Sequence, residues 1–84
     1  MKLHERANCI RSREDLVIFI RALKDDLRDH SQSWENADLG RFLEALSAWI
    51  EDMDGYYLGK RQPVPEQPDW KFLGEMLLAA RIYE

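Results

Sequence analysis

The stretch from Asp38 to Tyr57 constrains this chain more than any other. Leu39, Phe42, Leu46, Trp49 and Met53 step by three, four, three and four residues, the stripe of an amphipathic helix. Leu43, Ala45 and Ile50 widen the stripe, which predicts burial against more than one neighbour. Asp38 is a natural N-cap, because its carboxylate can accept from a free backbone N–H. Gly55 is placed to stop the helix, since glycine tolerates the left-handed conformation that closes one. A helix of this kind must bury its apolar side, so the remaining segments have to supply partners for it.

Two further helical segments do so. Ser12 opens the first, where Ser12-Arg-Glu-Asp15 approximates a capping box and Glu14 and Asp15 suit the positive end of the helix dipole. Leu16, Phe19, Ile20, Leu23 and Leu27 form its apolar face, with Arg21, Lys24, Asp25 and Arg28 opposite, and it ends near Asp29 or His30. Asp69 caps the last helix, predicted to run to about Tyr83 with Phe72, Leu73, Met76, Leu77 and Ala80 on one side. Ala79 and Ala80 are small enough to let a helix approach closely. Leu3, Ala7 and Ile10 have helical spacing, consistent with a short additional helix at the start. The expectation is an all-α fold, a small bundle of three main helices with or without that short N-terminal fourth, forming a single domain over 1–84.

The connections read differently from one another. Ser31 to Ala37 holds one large apolar residue, Trp34, which either folds inward to pin the loop or stands out as an anchor for a partner. Pro63-Val-Pro-Glu-Gln-Pro68 cannot continue a helix and favours extended geometry, so residues 58–68 read as a stiff strap over the core.

Composition narrows the function classes. At 84 residues, 45% hydrophobic and 33% charged, the chain suits a helix-rich globule. Residues 31–59 carry six acids against the single base Arg41, whereas the flanking segments are nearly balanced. No cluster of Lys and Arg is present to track a phosphate backbone, so nucleic acid is not an expected partner. The longest strongly apolar run, Leu16 to Ile20, is too short to span a membrane. Cys9 is alone, and no signal-peptide pattern is seen at the charged start, so a reducing, cytoplasmic setting is expected.

Catalytic and metal motifs are weak. Aligning Gly55 with the obligatory glycine of a calcium loop puts Ile50 and Arg61 at the first and last ligand positions, which rules that loop out. His4 and His30 have no ligand spacing to each other or to Cys9, which reads as a small, partly buried residue. No metal, cofactor or enzymatic activity is expected. The acidic turn is the feature that breaks a local rule. Glu51, Asp52 and Asp54 would lie in the last turn of a helix, at the negative end of its dipole, and Tyr56 and Tyr57 follow directly. Tyrosine beside acid suits a protein interface with a basic partner. The competing reading is structural: Tyr57 packs on the core and Lys60, Arg61 or Arg81 neutralises the acids.

These residues resemble a family of small bacterial proteins known as a domain of unknown function. The resemblance rests on Ser-Arg-Glu-Asp-Leu16, Trp34-Glu-Asn36, the run from Phe42 to Tyr57, the Pro-x-Pro loop at 63–65, Trp70-Lys71 and Glu75 to Glu84. It spans nearly the whole chain and implies no particular activity. A fainter similarity links the acids and the tyrosine pair to the immunity proteins of nuclease colicins, which set such a pair, on a short third helix, against a basic toxin. The expected function is therefore a non-enzymatic protein-binding module, of immunity or antitoxin type, with Glu51, Asp52, Asp54, Tyr56 and Tyr57 as contacts. The alternative is a structural or self-associating, homodimeric helical domain.

Overall fold

The computed structural model describes residues 2–84 and contains four α-helices: α1 (Leu3–Asn8), α2 (Arg13–Asp29), α3 (Leu39–Gly59) and α4 (Trp70–Ala80). The expected all-α bundle is found, with the short helix at the start present. Among the described residues no helix is long and apolar enough to cross a membrane.

Capping follows the sequence closely. The Ser12 hydroxyl accepts from the Asp15 N–H at 3.1 Å, Asp38 accepts from Arg41 at 2.8 Å, and Asp69 accepts from Phe72 at 2.7 Å. Each satisfies one of the free N–H groups at a helix start. The reciprocal half of the box at Ser12 is shifted: the Asp15 carboxylate takes the N–H of Arg11, one residue before the cap.

The helix touching all the others is α4, not α3. It lies among α1, α2 and α3, while α2 and α3 do not approach each other. The main core gathers Ala7, Ile10, Leu16, Phe19, Leu23 and Trp34, with Phe42, Leu73 and Leu77 packed against it. Trp34 folds inward, stacks on Phe42 at 6.0 Å and donates its indole N–H to Asp26 at 2.7 Å. Gly74 explains how α4 can sit so deep. It is buried, and a Cβ there would lie 2.3 Å from Cδ1 of Ile10. The close approach is therefore made at Gly74; Ala80 is also fully buried, at the far end of the helix.

Several boundaries and faces differ from expectation. α3 runs straight through Gly55 and ends at Gly59. Gly55 has ordinary helical backbone, and the left-handed residue is Arg61, with φ 56°. Around it, Gln62 N–H reaches Tyr57 O at 2.9 Å and Arg61 N–H reaches Leu58 O at 3.0 Å, the paired bonds of a Schellman closure. Pro63 follows and bars continuation. α4 stops at Ala80 rather than near Tyr83, because Asn36 takes its end: the Asn36 amide donates to Ala80 O and Tyr83 O at 3.0 and 2.8 Å. Ile20, Leu43 and Ile50, expected inside, are exposed, because α4 reaches only one flank of each helix. Cys9 is exposed rather than partly buried. Between Arg61 and Asp69 the strap is half-buried at Val64 and Pro65, its other residues being exposed.

The two glycines give opposite expectations. A Cβ at Gly55 meets nothing within 4 Å. Gly55→Ala should therefore stabilise the protein by about 1 kcal/mol, the helix-propensity difference. Gly74→Ala should destabilise it by about 1 kcal/mol or more, since overpacking against Ile10 outweighs the same propensity gain. Urea denaturation of both variants measures this, and a destabilised Gly55→Ala would mean that Gly55 does terminate the helix. Arg61→Gly should stabilise by up to about 1 kcal/mol by relieving the left-handed residue.

Candidate functional site

Because α3 continues for another turn past Gly55, the acids sit one to two turns inside the helix and not at its negative end. The dipole conflict expected for them is thereby removed. Helical geometry also sends them in different directions. Asp52 lines a groove bounded by α1, α3, the end of α4 and the chain end, whereas Glu51 and Asp54 lie outside it on the exposed side of α3. The three carboxylates form no common site.

The groove has a volume of about 860 Å3 and brings His4, Trp49, Asp52, Tyr56, Lys60 and Tyr83 together from separate parts of the chain. The Tyr83 hydroxyl donates to Asp52 at 2.5 Å, which ties the segment after α4 to α3. That bond, followed by burial and the Asp52 charge, raises the Tyr83 pKa above the usual tyrosine range. Lys60 places its ammonium 4.6 Å from the centre of the Tyr56 ring. Separately, hydrogen bonding toward the Tyr56 hydroxyl, opposed by burial and aided by the charges of Tyr56 and Glu75, holds Lys60 above the ordinary lysine range.

The tyrosine pair divides between two roles. Tyr57 is 4% exposed and cannot be a contact residue as expected. Its hydroxyl donates to Glu75 at 2.7 Å, bolting α3 to α4, and its ring lies in an aromatic cluster with Trp49 and Tyr56. Tyr56 is half-buried, 5.3 Å from Trp49 in an edge-on arrangement, and borders the groove. The structural reading of Tyr57 is thus the right one, but the expected neutralisation of the acids is not made. The ion pairs among the described residues are Arg13–Glu14, Arg28 with Asp25 and Asp29, and Arg41–Asp38. Glu51 and Asp54 belong to none of them.

Some neighbours were not legible from spacing. Asp52 with Tyr83 and Tyr57 with Glu75 are long-range pairs, visible in sequence only as separate polar residues on apolar helices. His4 and His30 border one groove of about 690 Å3 beside Asp29. Among the described residues, no three His, Cys, Asp or Glu side chains gather to hold a metal ion.

The fold and this surface define a small all-helical domain in which a few polar side chains, among them Asn36, Tyr57 and Tyr83, tie separate elements together. The model of a family of unknown function, DUF7660, matches residues 12–84, and the chain belongs to that family. No curated protein and no solved structure matches the chain.

Tyr57 carries a pH signature. Burial first, then the hydrogen bond and charge of Glu75, with smaller contributions from Tyr56 and Asp69, push its hydroxyl well above the ordinary tyrosine value. The unfolded chain therefore gives up this proton first, at about pH 10. Stability from this group is complete below about pH 10 and falls above it, by up to about 1.4 kcal/mol per pH unit, until the folded group also ionises. Tyr57→Phe should be less stable than wild type at pH 7 by about 1–2 kcal/mol, for loss of a bond to a carboxylate. The gap between the two should close as pH rises beyond about 10. Urea titrations at stepped alkaline pH measure it, and a constant gap would contradict the assignment.

Proposed function

We propose that this chain is a non-enzymatic protein-binding module that uses the outward face of the second half of α3. The observation supporting this is the side-chain pattern on that face. Leu58 is 72% exposed, Ile50 is exposed, and Glu51 and Asp54 stand beside them without an ion-pair partner among the described residues. Apolar residues gain from being covered, and unpaired acids favour and steer a basic partner. Asp52 and Tyr56, proposed from the sequence as contacts too, lie round the helix from this face and border the separate groove. Tyr57 supports the surface from beneath. The partner that fits is another protein offering basic residues around an apolar spot. An inhibitor of immunity or antitoxin type, in which acids meet a basic toxin, is the specific form of this reading.

The test uses the whole chain as bait. A protein captured from lysate should be purified and titrated against wild type and against the double variant Asp54→Ala/Leu58→Ala, with circular dichroism to confirm the fold of each. Both changes lie on exposed positions, so the fold should be unaffected. The variant should bind at least about tenfold more weakly, equivalent to about 1.4 kcal/mol, and wild-type binding should weaken with added salt. Equal affinity of the two would remove this face from the interaction.

A further inference from the structure

Among the described helices, α3 packs on α4 alone. Away from that contact it carries a row of side chains that runs its whole length. Leu39, Leu43, Ser47, Ile50, Asp54 and Leu58 follow one another by four, four, three, four and four residues, so they stand one above another on a single face. All six are exposed, and the aliphatic ones expose 73%, 52%, 43% and 72% of their surface in chain order. From Leu39 to Leu58 the row is about 28 Å long, at about 1.5 Å per residue.

Charge on α3 is one-sided. Its acids are Glu44, Glu51, Asp52 and Asp54, and its single base, Arg41, is turned to Asp38 and to the Glu35 carbonyl. Asp52 accepts from the Tyr83 hydroxyl and borders the groove on another side of the helix. Asp54 stands in the row, and Glu44 and Glu51 each follow directly on one of its aliphatic residues. None of these three belongs to an ion pair among the described residues. The bases just beyond the helix are Arg61 and Lys60, and the Lys60 ammonium lies over Tyr56 at the groove.

A row of this kind selects the form of what covers it. An extended strand needs a free sheet edge to pair with, and a polyproline segment needs an aromatic-lined groove. The row offers neither, because its backbone is committed to the helix's own hydrogen bonds and no aromatic residue stands in it. A long, narrow line of aliphatic side chains is matched by another helix, whose own apolar residues at three- and four-residue spacing pack between them. We propose that α3 seats a basic amphipathic helix of a partner protein along Leu39, Leu43, Ile50 and Leu58, with Lys or Arg on that helix meeting Glu44, Glu51 and Asp54. A second copy of α3 does not fit, since acids would then oppose acids. This seat rests on the protein-binding reading of α3, and adds to it the first half of the helix and the helical form of the partner.

The probe is a synthetic peptide of leucine and lysine, about 19 residues long to match the row, with leucines at helical spacing. Two controls accompany it: the same pattern with glutamate in place of lysine, and the same leucine and lysine content with leucines at every second position. Amide shifts of the whole isotope-labelled chain locate the peptide, and anisotropy of labelled peptide gives its affinity. The helical leucine–lysine peptide should bind saturably and shift Leu39, Leu43, Ile50 and Leu58. Leu43→Asp and Glu44→Lys/Glu51→Lys, all at exposed positions and checked by circular dichroism, should each weaken it at least about tenfold. Absence of saturable binding overturns the proposal, as do shifts confined to another face. Equal binding of the alternating peptide would mean that charge alone is read, and binding of the glutamate peptide would mean that the acids select nothing; either overturns it. A captured partner weakened by Asp54→Ala/Leu58→Ala but indifferent to Leu43→Asp overturns the helical seat and leaves the protein-binding reading standing. A partner indifferent to all of these substitutions overturns both.

Discussion

The fold depends on the contact between α4 and Ile10 at Gly74. Ile10 is 2% exposed and lies just beyond α1, so the short first helix is held by the same notch that seats α4. Phe19 of α2 closes the notch from the other side, 3.7 Å from where a Cβ would stand. One missing side chain thereby lets three helices share a core that a chain this short could not build by stacking full-sized residues. The domain is near the size at which burial is marginal, about 60% of the unfolded surface, and close packing at the centre matters more there than in a larger protein.

Having α4 at the centre creates a second demand: the free backbone groups at its ends must be satisfied, at the exposed start and at the buried finish. Asp69 does this locally at the start. At the other end Asn36, itself buried, accepts the task from the segment before α3 and donates to two carbonyls. The backbone N–H of Asn36 also reaches Arg81 O at 3.0 Å. Trp34, two residues earlier, is fixed by Asp26 and Phe42. The segment between α2 and α3 is therefore less a linker than a clamp, which fastens α2, α3 and the end of α4 together.

Much of this was legible in the sequence because it is local. N-caps at Ser12, Asp38 and Asp69 depend on residues three apart, and the apolar stripes depend on helical periodicity, so both could be read directly. What could not be read depends on which neighbour arrives. Glycine at 55 looks like a stop when the helix is considered alone. It is passed over because Trp49, Tyr56 and Tyr57 gain packing and a bond to Glu75 only if the helix continues. The same distance dependence governs the candidate site. Exposure of Glu51 and Asp54 followed from the pattern, whereas the burial of Tyr57 and the latch from Tyr83 to Asp52 required knowing that α4 and its tail lie alongside.

The exposed aliphatic residues follow from the same geometry. A helix in contact with one central neighbour can bury about one stripe, roughly a third of its circumference. α3 carries two adjacent stripes, and α4 covers only the inner one. In a lone domain, Leu39, Leu43, Ile50 and Leu58 would bring nothing to stability where they stand, and they add apolar surface that favours association. Acids on the same helix keep that surface from being indiscriminate: Glu44, Glu51 and Asp54 repel like-charged surfaces and accept basic ones. An apolar seam edged by charge is what a helix needs in order to be selective about what covers it, and α3 carries both.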